Sequence, residues 1–286
     1  MATFSNVATL SYGGNTVYSN VVTGTLLETV SMTKSVALDI YSTGKRNTFI
    51  VSVINAGQTD VADVTLTENL GEYNVGTTPV IPMTYLPGSL LYYLNGVAQP
   101  TPTVASESPL TLTGISIPAG GEAIFIYQAE PNQYADGSAG SSITTVVTLT
   151  GDGIPGSLEA TAILTAADAP ILSITKNLSP TTASEAEQIV YTITVQNTGN
   201  QAVTAADNVV IGDTLNPTLT GLSVTYNGTA WVEGTQYQYS QTGGEFSTTA
   251  GAVTVPAATY TQDSTTGVVT VTPGTAVLVL TGNISV

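Results

Sequence analysis

Apolar and polar side chains alternate along much of this 286-residue chain, in short runs separated by turn residues. Residues 48–54 read Thr-Phe-Ile-Val-Ser-Val-Ile and are followed by Asn-Ala-Gly. Residues 189–195 read Ile-Val-Tyr-Thr-Ile-Thr-Val, and an Asn-Thr-Gly turn follows shortly after them. Runs of β-branched and aromatic residues that stop at Asn and Gly are typical of β-strands. The pattern therefore predicts an all-β protein.

The strand pattern repeats within the chain. Residues 31–34 (Ser-Met-Thr-Lys) resemble residues 173–176 (Ser-Ile-Thr-Lys) at an offset of 142, and residues 61–70 resemble residues 209–215. Short, regularly spaced strands with turn residues between them favour sandwiches, so we predict two tandem immunoglobulin-like β-sandwich modules. The predicted division is a donor arm and connector over residues 1–24, a first sandwich over 25–153, a linker over 154–170 and a second sandwich over 171–286.

The two copies differ in completeness. The first continues through residues 123–128 into a last strand over residues 143–149, whereas the second reaches residues 276–286 and stops. We therefore predict that the second module lacks its last strand. Residues 4–10 align with residues 143–149 at an offset of 139. This alignment predicts that the N-terminal arm is the final strand of a module in another chain.

A sandwich without an edge strand exposes unpaired backbone groups and part of its core, and a strand from another copy can fill both. Because such a contact is heterologous, it propagates into an open fibre unless it closes into a ring. The alternative is that the arm folds back onto its own chain or frays. The predicted interface residues are Phe4, Asn6, Val7, Ala8, Leu10 and Tyr12 on the arm, and Val277, Val279 and Ile284 on the slot.

Composition narrows the possible functions. Four basic residues stand against twenty acidic ones, for a net charge of −16, which argues against nucleic-acid binding and against docking to anionic lipid. No apolar run approaches the ~20 residues of a membrane helix, so no membrane insertion is expected. Cys and His are both absent, which removes thiolate chemistry, the usual general base and the commonest metal ligand. We therefore expect no enzymatic activity, no metal and no cofactor.

Three segments of the repeat carry a resemblance to a known family. They are Lys176, residues 191–200 (Tyr-Thr-Ile-Thr-Val-Gln-Asn-Thr-Gly-Asn) and residues 213–215 (Asp-Thr-Leu). The pattern resembles the immunoglobulin-like conserved repeat domain of bacterial surface and fibre proteins, a domain of unknown function. The first module departs from it at Glu68, which replaces Asp, and at Thr145, which replaces Asn. The resemblance implies a role at the cell surface or in a fibre, and no known catalysis.

One set of residues suggests covalent chemistry. Strand alternation sorts side chains by face and predicts that Lys176, Asp213 and Asn6 all point inward. Burial makes a lysine lose its proton more easily, and a buried protonated carboxyl can polarise an asparagine amide. These are the parts of a self-formed Lys–Asn isopeptide bond, as in the Gram-positive pilins that this arrangement resembles. Here the bond would join two subunits.

The corresponding residues of the first module are Lys34, Glu68 and Thr145. Because a threonine cannot react in this way, we expect only an ion pair there. The same kind of ion pair, with the lysine stem covering apolar surface, is the alternative to a covalent bond for Lys176 and Asp213.

Two further kinds of site have weaker patterns. Asp60 and Asp63, or Asp207 and Asp213, could offer oxygen ligands to Ca²⁺, but their spacing is not that of a calcium-binding loop. Trp231 and several tyrosines could form a sugar-binding platform, although such residues more often pack across strands. The tyrosines are Tyr85, Tyr92, Tyr93, Tyr226, Tyr237 and Tyr239.

The sequence as a whole predicts a structural subunit of an extracellular fibre, located on a cell or spore surface. Its main partners would be copies of itself, with host or matrix glycans as further candidate ligands. Charged residues make up only 8% of the chain, a composition that offers little protection against association and suits self-assembly. The alternative function is that of a monomeric cell-surface adhesin or glycan-binding module.

Overall fold

The computed structural model describes residues 3–25, 29–154 and 156–285. These residues form an N-terminal arm and two immunoglobulin-like β-sandwich modules, each with its own hydrophobic core. The prediction of an all-β, immunoglobulin-like fold is confirmed. In the described ranges, no helix is long and apolar enough to cross a bilayer.

The N-terminal arm is an antiparallel hairpin, where the sequence analysis expected a single strand. Its strands are β1 (Thr3–Asn6), β2 (Thr9–Tyr12), β3 (Asn15–Tyr18) and β4 (Val22–Thr25). β2 pairs with β3, and β1 pairs with β4. The turn residues Gly13 and Gly14 have φ values of +55° and +85°. A two-residue type I′ turn requires positive φ at both positions, which glycine adopts without steric cost.

The first module is a sandwich of two sheets. Its strands are β5 (Val30–Val36), β6 (Ile40–Tyr41), β7 (Asn47–Asn55), β8 (Val61–Glu68), β9 (Tyr73–Val75), β10 (Thr78–Val80), β11 (Met83–Tyr85), β12 (Leu91–Leu94), β13 (Val97–Gln99), β14 (Thr103–Glu107), β15 (Leu110–Ile117), β16 (Glu122–Pro131), β17 (Ser142–Asp152) and β18 (Leu158–Ala166). One sheet has the order β13-β12-β16-β7-β5, and β11 also pairs with β16. The other has the order β14-β15-β8-β17-β18-β6.

Alternation along β7 shows how the sequence pattern produces this core. Phe49, Val51 and Val53 are buried, while the residues between them are half-buried on the other face. The strand ends at Asn55, which is buried and donates its side-chain amide to backbone carbonyls of the neighbouring turns. Asn197 ends the equivalent strand of the second module in the same way. In both modules, the Asn of the repeated Asn-x-Gly motif is therefore buried and holds the neighbouring turns by hydrogen bonds.

The segment assigned to a linker over residues 154–170 is corrected by the structure. Most of it is β18, which pairs with β17 from Ser142–Thr165 through Leu149–Leu158. β18 buries Ala162, Leu164 and Ala166 in the first core. Its apolar pattern is weak because alanine and threonine dominate the strand. The last structural unit of the first module is thus a two-stranded hairpin and not one strand.

The second module has a larger and a smaller sheet. Its elements are β19 (Leu172–Ser179), β20 (Gln188–Asn197), the 3₁₀ helix η1 (Ala205–Asp207), β21 (Gly212–Thr214), β22 (Leu219–Tyr226), β23 (Thr229–Trp231), β24 (Tyr237–Tyr239), β25 (Glu245–Thr248), β26 (Thr259–Gln262), β27 (Val269–Thr272) and β28 (Gly274–Ile284). The larger sheet has the order β19-β20-β28-β22-β23, and the smaller has the order β21-β25-β24. β26 and β27 form a separate hairpin.

The smaller sheet of the second module has fewer strands than the corresponding sheet of the first module. β21 corresponds to the end of β8, because Asp213-Thr214-Leu215 repeats the position of Glu68-Asn69-Leu70. In the first module β8 lies between β15 and β17. Within the described residues β21 pairs only with β25, and no strand corresponds to β17 or β18. The β21 edge of this sheet is therefore unpaired within the described residues.

Because β18 contributes to the first core, substitutions at two neighbouring residues of this strand should differ in their effect on stability. Leu164 is fully buried, whereas Ile163 is 57% exposed on the same strand. Leu164→Ala should lower the free energy of unfolding by about 2–5 kcal/mol, because it leaves a cavity in the core. Ile163→Ala should change it by about 0.5 kcal/mol or less. Urea denaturation followed by circular dichroism measures both values, and equal small effects would show that β18 is a linker.

Candidate assembly site

Four polar side chains meet inside the first module. Lys34 on β5 places Nζ 2.5 Å from Glu68 Oε2 on β8 and 2.6 Å from Thr145 Oγ1 on β17. Tyr127 on β16 donates its hydroxyl to the same glutamate oxygen at 2.6 Å. The side chains of Lys34 and Glu68 have no solvent exposure. The ion pair predicted for this module is therefore present, and it joins strands of both sheets.

Burial changes the acid–base properties of this cluster. It lowers the pKa of Lys34, and the charge of Glu68 and the hydrogen bond to it oppose that effect. Burial also raises the pKa of Tyr127 well above its ordinary value, and the charge of Glu68 adds to the increase. Tyr127 therefore remains a hydroxyl donor at neutral pH. Because Thr145 has no carboxamide, the cluster acts as a non-covalent clasp between the sheets.

Removal of one partner from this buried pair should be costly. Glu68→Leu leaves the lysine buried without a counter-charge and should lower the free energy of unfolding by about 3–5 kcal/mol. The double variant Lys34→Met/Glu68→Leu removes both charges and should recover most of that loss. Urea titrations of the three proteins test this expectation. A single variant as stable as the double variant would contradict it.

The second module has the same lysine–carboxylate pair in an open setting. Lys176 on β19 places Nζ 2.5 Å from Asp213 Oδ2 on β21 and 4.2 Å from the centroid of the Tyr191 ring. In the first module the equivalent lysine lies 5.3 Å from the centroid of Phe49. The side chains of Lys176 and Asp213 are 38% and 17% exposed. The pair is thus formed but uncovered.

Asp213 has fewer hydrogen-bond partners than its counterpart Glu68. Its Oδ1 accepts the backbone N–H of Thr214 at 2.9 Å. Its Oδ2 is buried and lacks a hydrogen-bond donor among the described residues, although Lys176 is close. The contact with Lys176 is therefore a charge–charge contact without hydrogen-bond geometry. A buried carboxylate oxygen in this state is ready to accept a further donor.

The tyrosine of the first cluster has no equivalent in the second module. Tyr127 pairs with Phe49 across β16 and β7, and the same register across β28 and β20 pairs Leu280 with Tyr191. Leucine has no hydroxyl, so it cannot donate to Asp213 as the tyrosine donates to Glu68. This substitution leaves the carboxyl group of the second module free to bind another partner.

The strand that carries Lys176 presents an uncovered apolar face. Leu172, Ile174 and Leu178 lie on the same side of β19 as the lysine and are 42%, 59% and 38% exposed. Their counterparts on β5 are buried in, or packed against, the first core, and β18 lies against β5. A groove of about 150 Å³ lies beside β19 and β21. It is lined by Ile174, Thr175, Lys176, Ile193, Ile211, Gly212 and Asp213.

The arm hairpin is also uncovered. Residues 4–23 are all exposed, and no hydrogen bond within the described ranges joins them to either module. Alternation places Phe4 and Leu10 on one face, while Ser11 and Thr16 on the opposite face have hydroxyl oxygens 3.0 Å apart. An isolated two-stranded hairpin is only marginally stable in water. The apolar residues Phe4 and Leu10 of this hairpin are thus left uncovered by the described residues.

The structure brings some of the predicted site residues together and leaves others apart. Lys176 and Asp213 are in contact. Asn6 ends β1 opposite Val22 in the exposed arm and does not reach them within the described chain. The other predicted arm residues, Phe4, Val7, Ala8, Leu10 and Tyr12, are exposed in the same hairpin.

The position predicted for the slot is corrected. Val277 and Val279 lie on β28, which pairs with β20 on one side and with β22 on the other. A strand paired on both sides has no free edge for another strand. Ile284 packs against the second core. The unpaired edge lies at β21 instead.

The return half of the arm and the exposure of the apolar face of β19 were not predicted from the sequence. Val17 and Val22 belong to the return half and pair with Leu10 and Asn6. The Gly13–Gly14 turn followed by further apolar residues was a signal for this second strand.

Several residues of the weaker candidate sites have other contacts in the described part of the chain. No group of three or more His, Cys, Asp or Glu side chains there could hold a metal ion. Asp60 accepts the backbone N–H of Ala119, and Asp207 accepts hydrogen bonds from Thr204. Of the tyrosines proposed as a sugar platform, Tyr85, Tyr92, Tyr226 and Tyr237 are buried. Tyr226 and Trp231 stack with ring centroids 4.7 Å apart.

No protein-family model and no curated protein matches the chain. Among solved structures, it is similar to BcpA, the major pilin subunit of Bacillus cereus, with 11% identity, a TM-score of 0.38 and coverage of 86% of this chain and 63% of that one. It is similar to the pilus backbone RrgB of Streptococcus pneumoniae, with 9% identity, a TM-score of 0.35 and coverage of 85% and 55%. It is also similar to the collagen-binding subdomain of the Enterococcus faecalis surface protein ACE, with 7% identity, a TM-score of 0.32 and coverage of 50% and 99%. Similarity at this level assigns neither a family nor a function.

Proposed function

We propose that this protein is the structural, non-enzymatic subunit of an extracellular fibre on a cell or spore surface. In this fibre, the N-terminal hairpin of one copy completes the second sandwich of the next copy. The observation that carries the proposal is a match between two parts of the same chain. The arm is a two-stranded hairpin, and a two-stranded hairpin is what the first module has and the described second module lacks.

The inward face of β17 supplies the pattern that the arm must fit. In the first module, Ile143, Thr145, Val147 and Leu149 are all buried on this face. The offset of 139 gives each of them a counterpart on the arm. The counterparts are Phe4 for Ile143, Asn6 for Thr145, Ala8 for Val147 and Leu10 for Leu149.

The return strand of the arm fits the place of β18. Thr145 pairs with Ala162 in the first module, and the corresponding pair in the arm is Asn6 with Val22. At the next inward pair, the ring of Phe4 lies across Gly24 and occupies the place where a Cβ would stand. One large ring thus occupies space that two aliphatic side chains fill in the first module. The hairpin would cover the apolar face of β19 as β18 covers β5.

Backbone pairing in the first module supplies a register for the proposed contact. β17 pairs with β8 from Val147–Glu68 to Thr150–Thr65 before a bulge. Transferred to the arm and the second module, this register pairs Ala8 with Asp213. Ladder hydrogen bonds there contribute about 1 kcal/mol each, and each large apolar side chain buried adds roughly 1.5–3 kcal/mol. Because association costs about 4–15 kcal/mol, both the ladder and the apolar face are needed.

The proposed contact joins the arm of one copy to the second module of another. These are different surfaces, so the contact is heterologous and each added copy presents a new free slot. Growth is therefore linear, in keeping with a fibre.

Negative-stain electron microscopy of the purified chain tests strand donation. The full chain should form fibres, and a chain lacking residues 1–25 should stay monomeric. Leu10→Asp places a charge in the core of the completed sandwich and should abolish fibres. Ser11→Asp places the same charge on the opposite face of the same strand and should leave fibres intact, which makes it the matched control.

Two results would contradict the proposal. Fibres formed by the chain lacking residues 1–25 would show that the arm is not the donor. Monomers of the full chain at every concentration would favour the monomeric adhesin or glycan-binding module instead.

A further inference from the structure

We propose that the donated hairpin is locked in place by an isopeptide bond between Lys176 Nζ and the side-chain carbonyl carbon of Asn6 from the neighbouring copy. The inference rests on the proposed strand donation, which is what brings Asn6 to Lys176. It goes further, because it makes each junction of the fibre covalent.

The first module supplies the geometry of the completed site. There, Lys34 Nζ lies 2.6 Å from Thr145 Oγ1. Asn6 aligns with Thr145, and the Cγ of asparagine is bonded to Cβ as the Oγ1 of threonine is. In the same side-chain orientation, the transferred Asn6 Cγ lies next to Lys176 Nζ. Reacting atoms held at about 3–3.5 Å are in a near-attack arrangement.

The carboxyl group differs between the two modules in a way that suits this reaction. Glu68 accepts hydrogen bonds from both Lys34 and Tyr127, so its Oε2 already has two donors. Asp213 lacks the tyrosine hydroxyl, and its Oδ2 has no hydrogen-bond donor among the described residues. It is therefore free to take a proton from Lys176 and to present that proton to the Asn6 carbonyl oxygen.

Assembly itself would switch the lysine into its reactive form. In the uncovered module, the Lys176 side chain is 38% exposed to solvent. The first module shows the covered state, in which the Lys34 side chain has no exposure and burial lowers its pKa. The docked hairpin would bury Lys176 as β17 and β18 bury Lys34, and burial disfavours the charged form of a lysine, so the bond forms only after docking.

The reaction balances without any added reagent. Lys176 Nζ transfers one proton to Asp213, and the neutral amine attacks Asn6 Cγ while the carboxylic acid donates a hydrogen bond to Oδ1. The Nζ–Cγ bond forms and the Cγ–Nδ2 bond breaks. The two protons that Nζ gives up leave with Nδ2 as ammonium, and Asp213 returns to a carboxylate. No oxidant, cofactor or metal takes part.

Boiling assembled fibres of the full chain in SDS tests the bond. The unaltered chain should give a ladder of covalent multimers, and each junction should reduce the mass by one ammonia. Trypsin digestion of the denatured ladder should yield residues 1–34 joined to residues 47–286, because the modified Lys176 is no longer cleaved. Tandem mass spectrometry of this product should place the link at Asn6 and Lys176.

Two variants distinguish formation of the isopeptide bond from docking of the hairpin. Lys176→Arg keeps the positive charge but cannot form the amide, and Asn6→Thr installs the residue of the first module. Both should give fibres by electron microscopy that dissolve into monomers in hot SDS. Lys45→Arg changes an exposed lysine of the first module and should leave the ladder unchanged.

The negative outcomes distinguish failure of the bond from failure of strand donation. Fibres of the unaltered chain that dissolve into monomers of unreduced mass overturn the bond and leave strand donation standing. A ladder that persists in Lys176→Arg also overturns it. If the unaltered chain forms no fibres, strand donation and the bond fall together. The linked tryptic peptide from the unaltered chain decides the question even if a variant does not fold.

Discussion

The second module has an unpaired strand edge beside an uncovered apolar face, and the proposed assembly depends on both features. Backbone N–H and C=O groups in a sheet need partners, and within the described residues β21 has one on a single side only. Beside it, Leu172 and Ile174 on β19 are exposed although their counterparts in the first module are covered. Both features follow from the lack, in the described second module, of a hairpin like β17–β18. A single inserted hairpin would therefore satisfy the edge and bury the face together.

The two modules contain the same lysine–carboxylate pair in different surroundings. In the first module, the pair of Lys34 and Glu68 is enclosed by strands of its own chain, and Thr145 and Tyr127 complete its hydrogen bonds. In the second, Lys176 and Asp213 hold the same relative position with their cover absent from the described residues. The first module thus shows the arrangement that we propose for the second module after docking. The residues that differ between them are those that would change a clasp into a reactive site.

The sequence predicted those parts of the structure that depend on local alternation. The strands that became β7 and β20 have strong apolar periodicity, and the repeat placed Lys176 and Asp213 on facing strands. It did not predict β18, because alanine and threonine give little contrast between its two faces. It placed the slot at β28 because that strand comes last in the sequence. In the fold β28 lies in the middle of a sheet, and strand order in space cannot be read from order along the chain.

Disulfide mapping in the assembled protein tests whether the hairpin is donated between copies, since the chain has no cysteine of its own. Thr148 pairs with Thr67 in the first module, and the corresponding pair across the proposed junction is Thr9 with Gly212. The variant Thr9→Cys/Gly212→Cys, made with Lys176→Arg to exclude an amide link, should form a ladder of disulfide-linked multimers on oxidation. Reduction should return the ladder to monomers. A disulfide confined to single chains, or free thiols in assembled protein, would contradict donation of the hairpin between copies.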